Sequence, residues 1–549
     1  MNSPHDVAAL RAVRDALQVS GVPAAAELAE RAIASGTAHP FLFNVVALQF
    51  EADGRLLDAA ASLRRGLDLA ADDLGCLHAL GLLALRLEEP DEARVSLERV
   101  IELQPEFAPA YVALGQALEA LGLLPAAESR FKRALALQPD NLLAAAGLAA
   151  ILGRRGEHGA ARQQAQHVLA AQPNYPPAAL VVAEADIALG EAARAETGLR
   201  DLLADVRLSE VERSLALGVL GDALDRQRRE ADAFAAYSES NDLRRRHYAA
   251  KFAEHGTLQF ANDLRAWFRE HPPRDLLSLV PPEIAPSPAS GHAFLIGFPR
   301  SGTTLLEQVL AAHPFVTALE ERETLIDGVR AYMRTPAGLA RLGLANEAEL
   351  APLREDYWRR VAAAGVVVNG NVFVDKHPLN GLKLPLIARL FPEARIIVAV
   401  RDPRDVVWSC FRRRFRMSAP YYELLTLAGA AGLYDAVMDL TQEMIPALAL
   451  RAHSVQLEAL ISDFDREASG VCDFLGLEFN PQMRDFATRA RGVATASGAQ
   501  LARGLNSSGI GEWRRYHAQL APVLPALERW AARFGYEAAA GAASSIPSA

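Results

Sequence analysis

Cysteine is scarce in this 549-residue chain, with only Cys76, Cys410 and Cys472 present. Three scattered thiols build neither a disulfide framework nor a thiolate metal site, and they fit a reducing compartment. No apolar run approaches the roughly 20 residues that a membrane-spanning helix needs. Met1 to Arg11 lacks the basic stretch and apolar core of a signal peptide, so the sequence reads as cytoplasmic with no membrane span. Positive charge is not in excess either. The 57 Lys and Arg against 67 Asp and Glu leave a net charge of −10, which argues against a protein that coats nucleic acid or anionic membrane. Apolar residues are plentiful, at 51%, with 23% charged, enough to fold most of the chain into packed cores. At this length there should be more than one core.

The first half repeats. Pro105, Pro139 and Pro173 lie 34 apart, each preceded by Gln, and alanine recurs in the same phase at Ala25, Ala59, Ala93, Ala127, Ala161 and Ala195. A step of 38 then reaches Ala233, which implies a four-residue insertion. Small residues also recur at Ala47, Gly81, Gly115, Ala149, Ala183 and Gly221, and Gly54, Gly122, Gly156 and Gly190 fall at the turn that follows. Pairs of antiparallel helices need small residues where they approach closely and glycine where the turn takes φ > 0. The pattern, as in Leu114 to Gly122, resembles tetratricopeptide repeats, with about seven phases between residues 5 and 245. By analogy, such a solenoid implies a protein or peptide partner on its concave face. Repeat architecture alone names no ligand.

The grammar changes after Leu243 to Arg246, and Val280 to Gly291 is a proline-rich linker. Short apolar runs at His292 to Phe298, Val372 to Val374, Arg395 to Val400 and Ser454 to Leu457 then alternate with helical stretches, as in a parallel sheet covered by helices. The expected organisation is a solenoid over 1–245, a linker over 246–290, an α/β domain over 291–540 and a tail over 541–549.

The first strand runs into Gly297 to Thr304, Gly-Phe-Pro-Arg-Ser-Gly-Thr-Thr, and then into a helical pattern. Strand, glycine turn and helix N-terminus make a nest of backbone N–H groups for a phosphate. Thr303 stands after Gly302 where a nucleotide triphosphatase has its lysine, which argues against a nucleotide kinase. Arg300 supplies a cation instead, and Ser301, Thr303 and Thr304 supply hydroxyls.

This loop resembles the 5′-phosphosulfate loop of sulfotransferases, especially the protein-tyrosine and tetratricopeptide-linked members. The resemblance implies a phosphate-loop α/β fold over roughly residues 290 to 537 and 3′-phosphoadenosine-5′-phosphosulfate as donor, with no metal. The run Arg395 to Ser409 resembles the family's second nucleotide motif, so Arg401 and Ser409 would hold the 3′-phosphate. Arg413 aligns with a further family contact, and Ser497 with a serine near the nucleotide. Arg412, Arg414 and Arg416 read as a solvated helix face. By the same resemblance Glu321 would be the catalytic base, although Glu320 and Glu323 stand beside it, and Lys376 would act with Arg300 on the leaving group. Leu457 and Glu512 depart from the family, standing where a tyrosine and a basic residue are common. His313, His377 and His453 show no metal-ligand spacing. A repeat scaffold with a nucleotide-binding but non-catalytic domain remains the rival reading. The acceptor stays open among peptide or protein, saccharide, lipid and metabolite.

Overall fold

The computed structural model describes residues 4–254, 256–272, 287–486, 505, 507 and 509–538. The chain forms two compact units, Met1–Gly198 and Leu199–Ala549.

The first unit is a succession of antiparallel helix pairs, from Pro4–Val19 with Val22–Ala34 to Pro176–Ala188 with the start of Ala192–Leu203. Its period follows from steric fit. The alanines at 25, 59, 93, 127 and 161 are completely buried. A Cβ on Gly81 would meet Leu97 Cγ at 2.6 Å, and one on Gly115 would meet the Phe131 ring at 2.6 Å. A larger residue at either glycine would push the paired helices apart. The turn glycines Gly54, Gly122, Gly156 and Gly190 take φ of 74°, 75°, 82° and 87°. Glu88 occupies the same turn position with φ 61°, so the packing holds a side-chain-bearing residue in a conformation that costs about 1–2 kcal/mol. Proline at the first or second position starts many of these helices, including Pro40–Ala52 and Pro90–Leu103, where its missing N–H costs no hydrogen bond.

The second unit opens with a helix pair in the same repeat phase, Glu210–Arg226 and Glu230–Phe252, so periodicity and packing divide the chain at different points. A parallel sheet follows, built from β1 (Gly291–Ile296), β2 (Val316–Glu320), β3 (Val372–Lys376), β4 (Arg395–Val400) and β5 (Arg451–Gln456) in the order β2-β3-β1-β4-β5. Phe294 pairs with Asp375 on one side and Ile396 on the other. All the parallel pairs need crossovers, and helices cover the faces, so β1 and β4 read as continuous apolar runs. The helix Thr303–Ala311 lays Leu306, Val309 and Leu310 on Leu295, Val374 and Ile397.

The strand order reverses at β1 and β4, and the crevice at their C-terminal ends is where an open α/β sheet offers a binding site. Strand β2 has no counterpart among the runs expected from the sequence. It is a five-residue edge strand just after His313 and Pro314, too short for its alternation to stand out.

Candidate active site

The loop after β1 cannot carry side chains freely. Gly297 has φ 156°, and a Cβ there would lie 2.6 Å from the Ala399 carbonyl oxygen on β4. Arg300 follows at φ 71°, and Gly302 caps the helix Thr303–Ala311 at φ 93°. This curl leads straight into the helix N-terminus, an element that suits an anion, and Ser301, Thr303 and Thr304 are all buried. Leu457 packs against the curl, with its Cδ1 2.8 Å from where a Gly302 Cβ would stand. The departure at this position is thus a packing residue under the loop.

The second motif meets the loop directly. Arg401 leaves the end of β4 and donates from Nη1 to the Arg300 carbonyl at 3.1 Å, and a second nitrogen reaches the Gly509 carbonyl. Asp402 caps the helix Pro403–Phe411 by accepting from Arg404 N, and that helix brings Ser409 Oγ to within 3.0 Å of Arg300 Nε. Asp405 on the same helix accepts from the backbone N–H groups of Gly511 at 2.6 Å and Trp513 at 2.9 Å, which pins residues 509–513 across Arg401. Burial raises its carboxyl to about 6, opposed mainly by Arg401.

These motifs concentrate positive charge. Burial, then the neighbouring Arg413 and Arg401, bring the Arg300 guanidinium down to about 9. Burial also lowers Arg413, with Asp222 opposing it and Arg412 adding to it. The Nε atoms of Arg401 and Arg413 are buried and have no hydrogen-bond partner among the described residues. Cations held this close, with donors unsatisfied, fit an anion with several charges. Ser497 lies outside the described residues.

Of the basic run expected as a solvated face, Arg416 is exposed, while Arg412 and Arg414 are half-buried in ion pairs. Arg412 pairs with Asp225 at 3.4 Å and with Glu512, and Arg414 pairs with Asp222 at 2.9 Å. Both acids come from the helix Glu210–Arg226, which the sequence assigned to the solenoid. Neighbouring contacts close the same seam: Phe234 stacks on Phe411 at 5.4 Å, Asn241 donates to the Phe411 carbonyl at 2.8 Å, and Tyr516 donates to Asp225 at 2.6 Å. Glu512, the other departure, is the partner of Arg412.

Glu321 and Lys376 meet at the ends of β2 and β3. Glu321 has φ 31° and donates its N–H to the Lys376 carbonyl at 2.8 Å, extending the strand pairing past β2. Lys376 is fully buried, and its Nζ lies 2.8 Å from Glu321 Oε1, 3.2 Å from Glu307 Oε2 and 3.8 Å from Glu320 Oε1. Burial would raise Glu321, but Lys376, His377 and Arg300 outweigh it and lower its carboxyl. Burial raises Glu320, although Lys376 opposes this. Glu323 is turned elsewhere, to His377 at 3.2 Å and Lys383 at 2.7 Å. Asp375 is no partner of Lys376; it accepts from Thr324 at 2.7 Å and Tyr357 at 2.9 Å in the core.

The histidines are dispersed. His313 contacts the Glu478 carbonyl at 2.9 Å and His453 stacks on Phe474 at 5.4 Å. Glu307 was not among the residues singled out from the sequence. It sits on the buried stripe of its helix between Thr303 and Leu310, and a charge in that stripe was the available signal.

Comparison with known proteins agrees with this layout. Residues 293–481 match the model of the sulfotransferase family, and residues 78–141 and 112–176 match that of the tetratricopeptide repeat. An uncharacterized protein of Aquifex aeolicus is 25% identical over 44% of this chain and 33% of its own length. Protein-tyrosine sulfotransferase 1 of Danio rerio is 25% identical over 44% of this chain and 72% of its own. Nodulation protein NoeE of Sinorhizobium fredii is 30% identical over 35% of this chain and 51% of its own. The chain therefore spans a third of the first of these relatives and about half of the last. It carries tetratricopeptide repeats in its first half and, over residues 293–481, a domain of the sulfotransferase family.

Proposed function

We propose that the protein transfers a sulfuryl group from 3′-phosphoadenosine-5′-phosphosulfate to a hydroxyl acceptor, and that its repeats recruit the acceptor or a partner protein. The observation that carries this reading is the triad Arg300, Arg401 and Arg413, crowded together in the crevice of β1 and β4 with the buried Nε donors of Arg401 and Arg413 unpartnered among the described residues. A donor with phosphate groups at two ends supplies the charge such a site needs. The loop from Arg300 to Thr304 would hold the 5′-phosphosulfate, and Arg401, Ser409 and Arg413 the 3′-phosphate. Ser497 is proposed on resemblance alone.

In the transfer, Glu321 accepts the proton of the acceptor hydroxyl as the acceptor oxygen bonds to sulfur. The bond from sulfur to the bridging phosphate oxygen breaks, and its electron pair leaves with 3′,5′-adenosine bisphosphate. Lys376 and Arg300 offset the charge that grows on that oxygen. None of these steps requires a metal. Because Lys376 lowers the Glu321 carboxyl, the base is ionised at neutral pH and ready to accept.

Tyrosine in a peptide is the first acceptor to try, because the zebrafish relative is a protein-tyrosine sulfotransferase. Three free, buried cysteines accord with a cytoplasmic protein. Among the described residues no helix is long and apolar enough to cross a membrane. Against the scaffold reading, Leu457 has a packing partner in Gly302 and Glu512 an ion-pair partner in Arg412, so neither departure by itself argues for a non-catalytic domain.

The test is incubation with donor labelled in its sulfuryl group, alone and with tyrosine peptides or lysate fractions, followed by identification of the labelled product. Label on an acceptor, or slow release of labelled sulfate with water as acceptor, supports the proposal. Retention of all label on the donor under every condition overturns it.

A further inference from the structure

Glu307 presents a problem that the transfer itself makes acute. Lys376 has no exposed surface, so its ammonium depends on protein carboxylates for its charge. If Glu321 becomes neutral on taking the acceptor's proton, Lys376 loses its nearest counter-ion at the moment when its charge is needed on the leaving oxygen. Glu307 approaches from the opposite element, the helix that begins in the phosphate loop, and places Oε2 3.2 Å from the same nitrogen. That oxygen is buried, and what it faces is the Lys376 ammonium. Among the described residues its other oxygen meets a long contact from Gln308 Nε2, at 3.5 Å.

Resting on the transferase reading above, we propose that Glu307 is a positioning residue. As second counter-ion of Lys376, it holds the ammonium between two carboxylates, so that the lysine keeps its charge and place while Glu321 is protonated. Glu307 neither touches the donor nor exchanges the acceptor's proton in this scheme. The proton goes from the acceptor oxygen to Glu321 and then to water as product leaves.

The surroundings of Glu307 make this holding sensitive to pH. The groups that face it are Lys376 at the end of β3, Glu320 at the end of β2 and Glu321 just beyond. From the other elements packed on its helix, His292 of β1 is turned to Tyr357, while Arg484 and Asp485 of the segment Pro481–Asp485 are exposed. Burial raises the Glu307 carboxyl to about 7; Lys376 opposes the rise, and Glu320 and Glu321 reinforce it. Protonation of Glu307 at lower pH removes the second counter-ion, so kcat should fall as pH drops through that region.

The experiment measures kcat and KM for wild type, Glu307→Gln and Glu307→Asp between pH 5.5 and 9, by release of labelled sulfate from the donor with water as acceptor and by transfer to any acceptor then known. The expected result is a fall of about 10- to 100-fold in kcat for Glu307→Gln at pH 8, below the roughly 10²–10³ of a lost direct donor because Glu307 acts through Lys376. KM for the donor should stay within about threefold, the limb near pH 7 should vanish, and Glu307→Asp should restore part of the rate. Turnover by wild type with an unchanged profile in Glu307→Gln overturns the inference while leaving the transferase reading standing. A parallel loss of donor affinity and melting temperature in both variants, with the limb kept, also overturns it by making Glu307 merely structural. No turnover by wild type with either probe overturns the transferase reading itself.

Discussion

Replacing Asp225 by asparagine tests whether the helix pair Glu210–Arg226 and Glu230–Phe252 is part of the nucleotide-binding unit. Asp225 accepts from Tyr516 at 2.6 Å and faces Arg515 at 2.9 Å and Arg412 at 3.4 Å, with only 13% of its side chain exposed. Removing one partner of a buried ion pair costs about 3–5 kcal/mol when the other is left alone. Here neither arginine is left alone, because Arg412 keeps Glu512 and Arg515 keeps Glu230 at 2.8 Å. Asparagine also still accepts from the Tyr516 hydroxyl. The expected loss is therefore smaller, about 1–3 kcal/mol, or a fall of about 2–6 °C in the transition of the C-terminal unit. Asp225→Ala should lose a further ~1–3 kcal/mol, because it leaves a buried hydroxyl without an acceptor. Scanning calorimetry of the full chain, followed by titration with 3′,5′-adenosine bisphosphate, reads both consequences. Affinity should fall several-fold, since Arg413 lies between the two arginines that this helix anchors. If both variants melt and bind nucleotide like wild type, the helix pair does not support the site and the reasoning fails.

Two further outcomes follow from the site. Glu321→Gln should keep nucleotide affinity near wild type and lose about 10²–10⁴ in turnover, while Glu320→Gln and Glu323→Gln lose much less; a normal rate in Glu321→Gln would move the base elsewhere. Gly302→Ala combines φ 93° with a Cβ 2.8 Å from Leu457 Cδ1, so adenosine bisphosphate should bind about 5- to 30-fold more weakly by calorimetry, a loss matching the ~1–2 kcal/mol of left-handed strain. Adding Leu457→Ala should recover only part of that loss, because it relieves the contact and not the backbone, and full recovery would show that the strain is unimportant.

The parts of this protein legible from sequence were those where one residue type answers one local demand. The 34-residue phase could be read because alanine and glycine are forced wherever paired helices touch. The glycine turn after β1 could be read because its glycines have φ values and approaches that a side chain does not tolerate, as at Gly297 against β4. Partnership across the fold was not legible. Arg412 and Arg414 look like any exposed basic helix until the helix bearing Asp222 and Asp225 is placed against them, and these acids lie 187 and 192 residues earlier. Glu307 hid for a similar reason, since its meaning depends on Lys376 arriving from another strand. Leu457 and Glu512 stood out as departures from a family pattern, and in the fold one packs against the loop and the other pairs with Arg412.

Calorimetric titration of the full chain with 3′,5′-adenosine bisphosphate decides whether the arginine cluster between β1 and β4 holds a nucleotide with phosphates at both ends. Wild type should show binding at one site per chain. Arg300→Ala and Arg401→Ala should each weaken it by about 10- to 100-fold, as expected for charge-assisted hydrogen bonds worth roughly 1.5–3 kcal/mol, while the repeats stay folded. Absence of binding by well-folded wild type, or equal affinity in wild type and both variants, would contradict it.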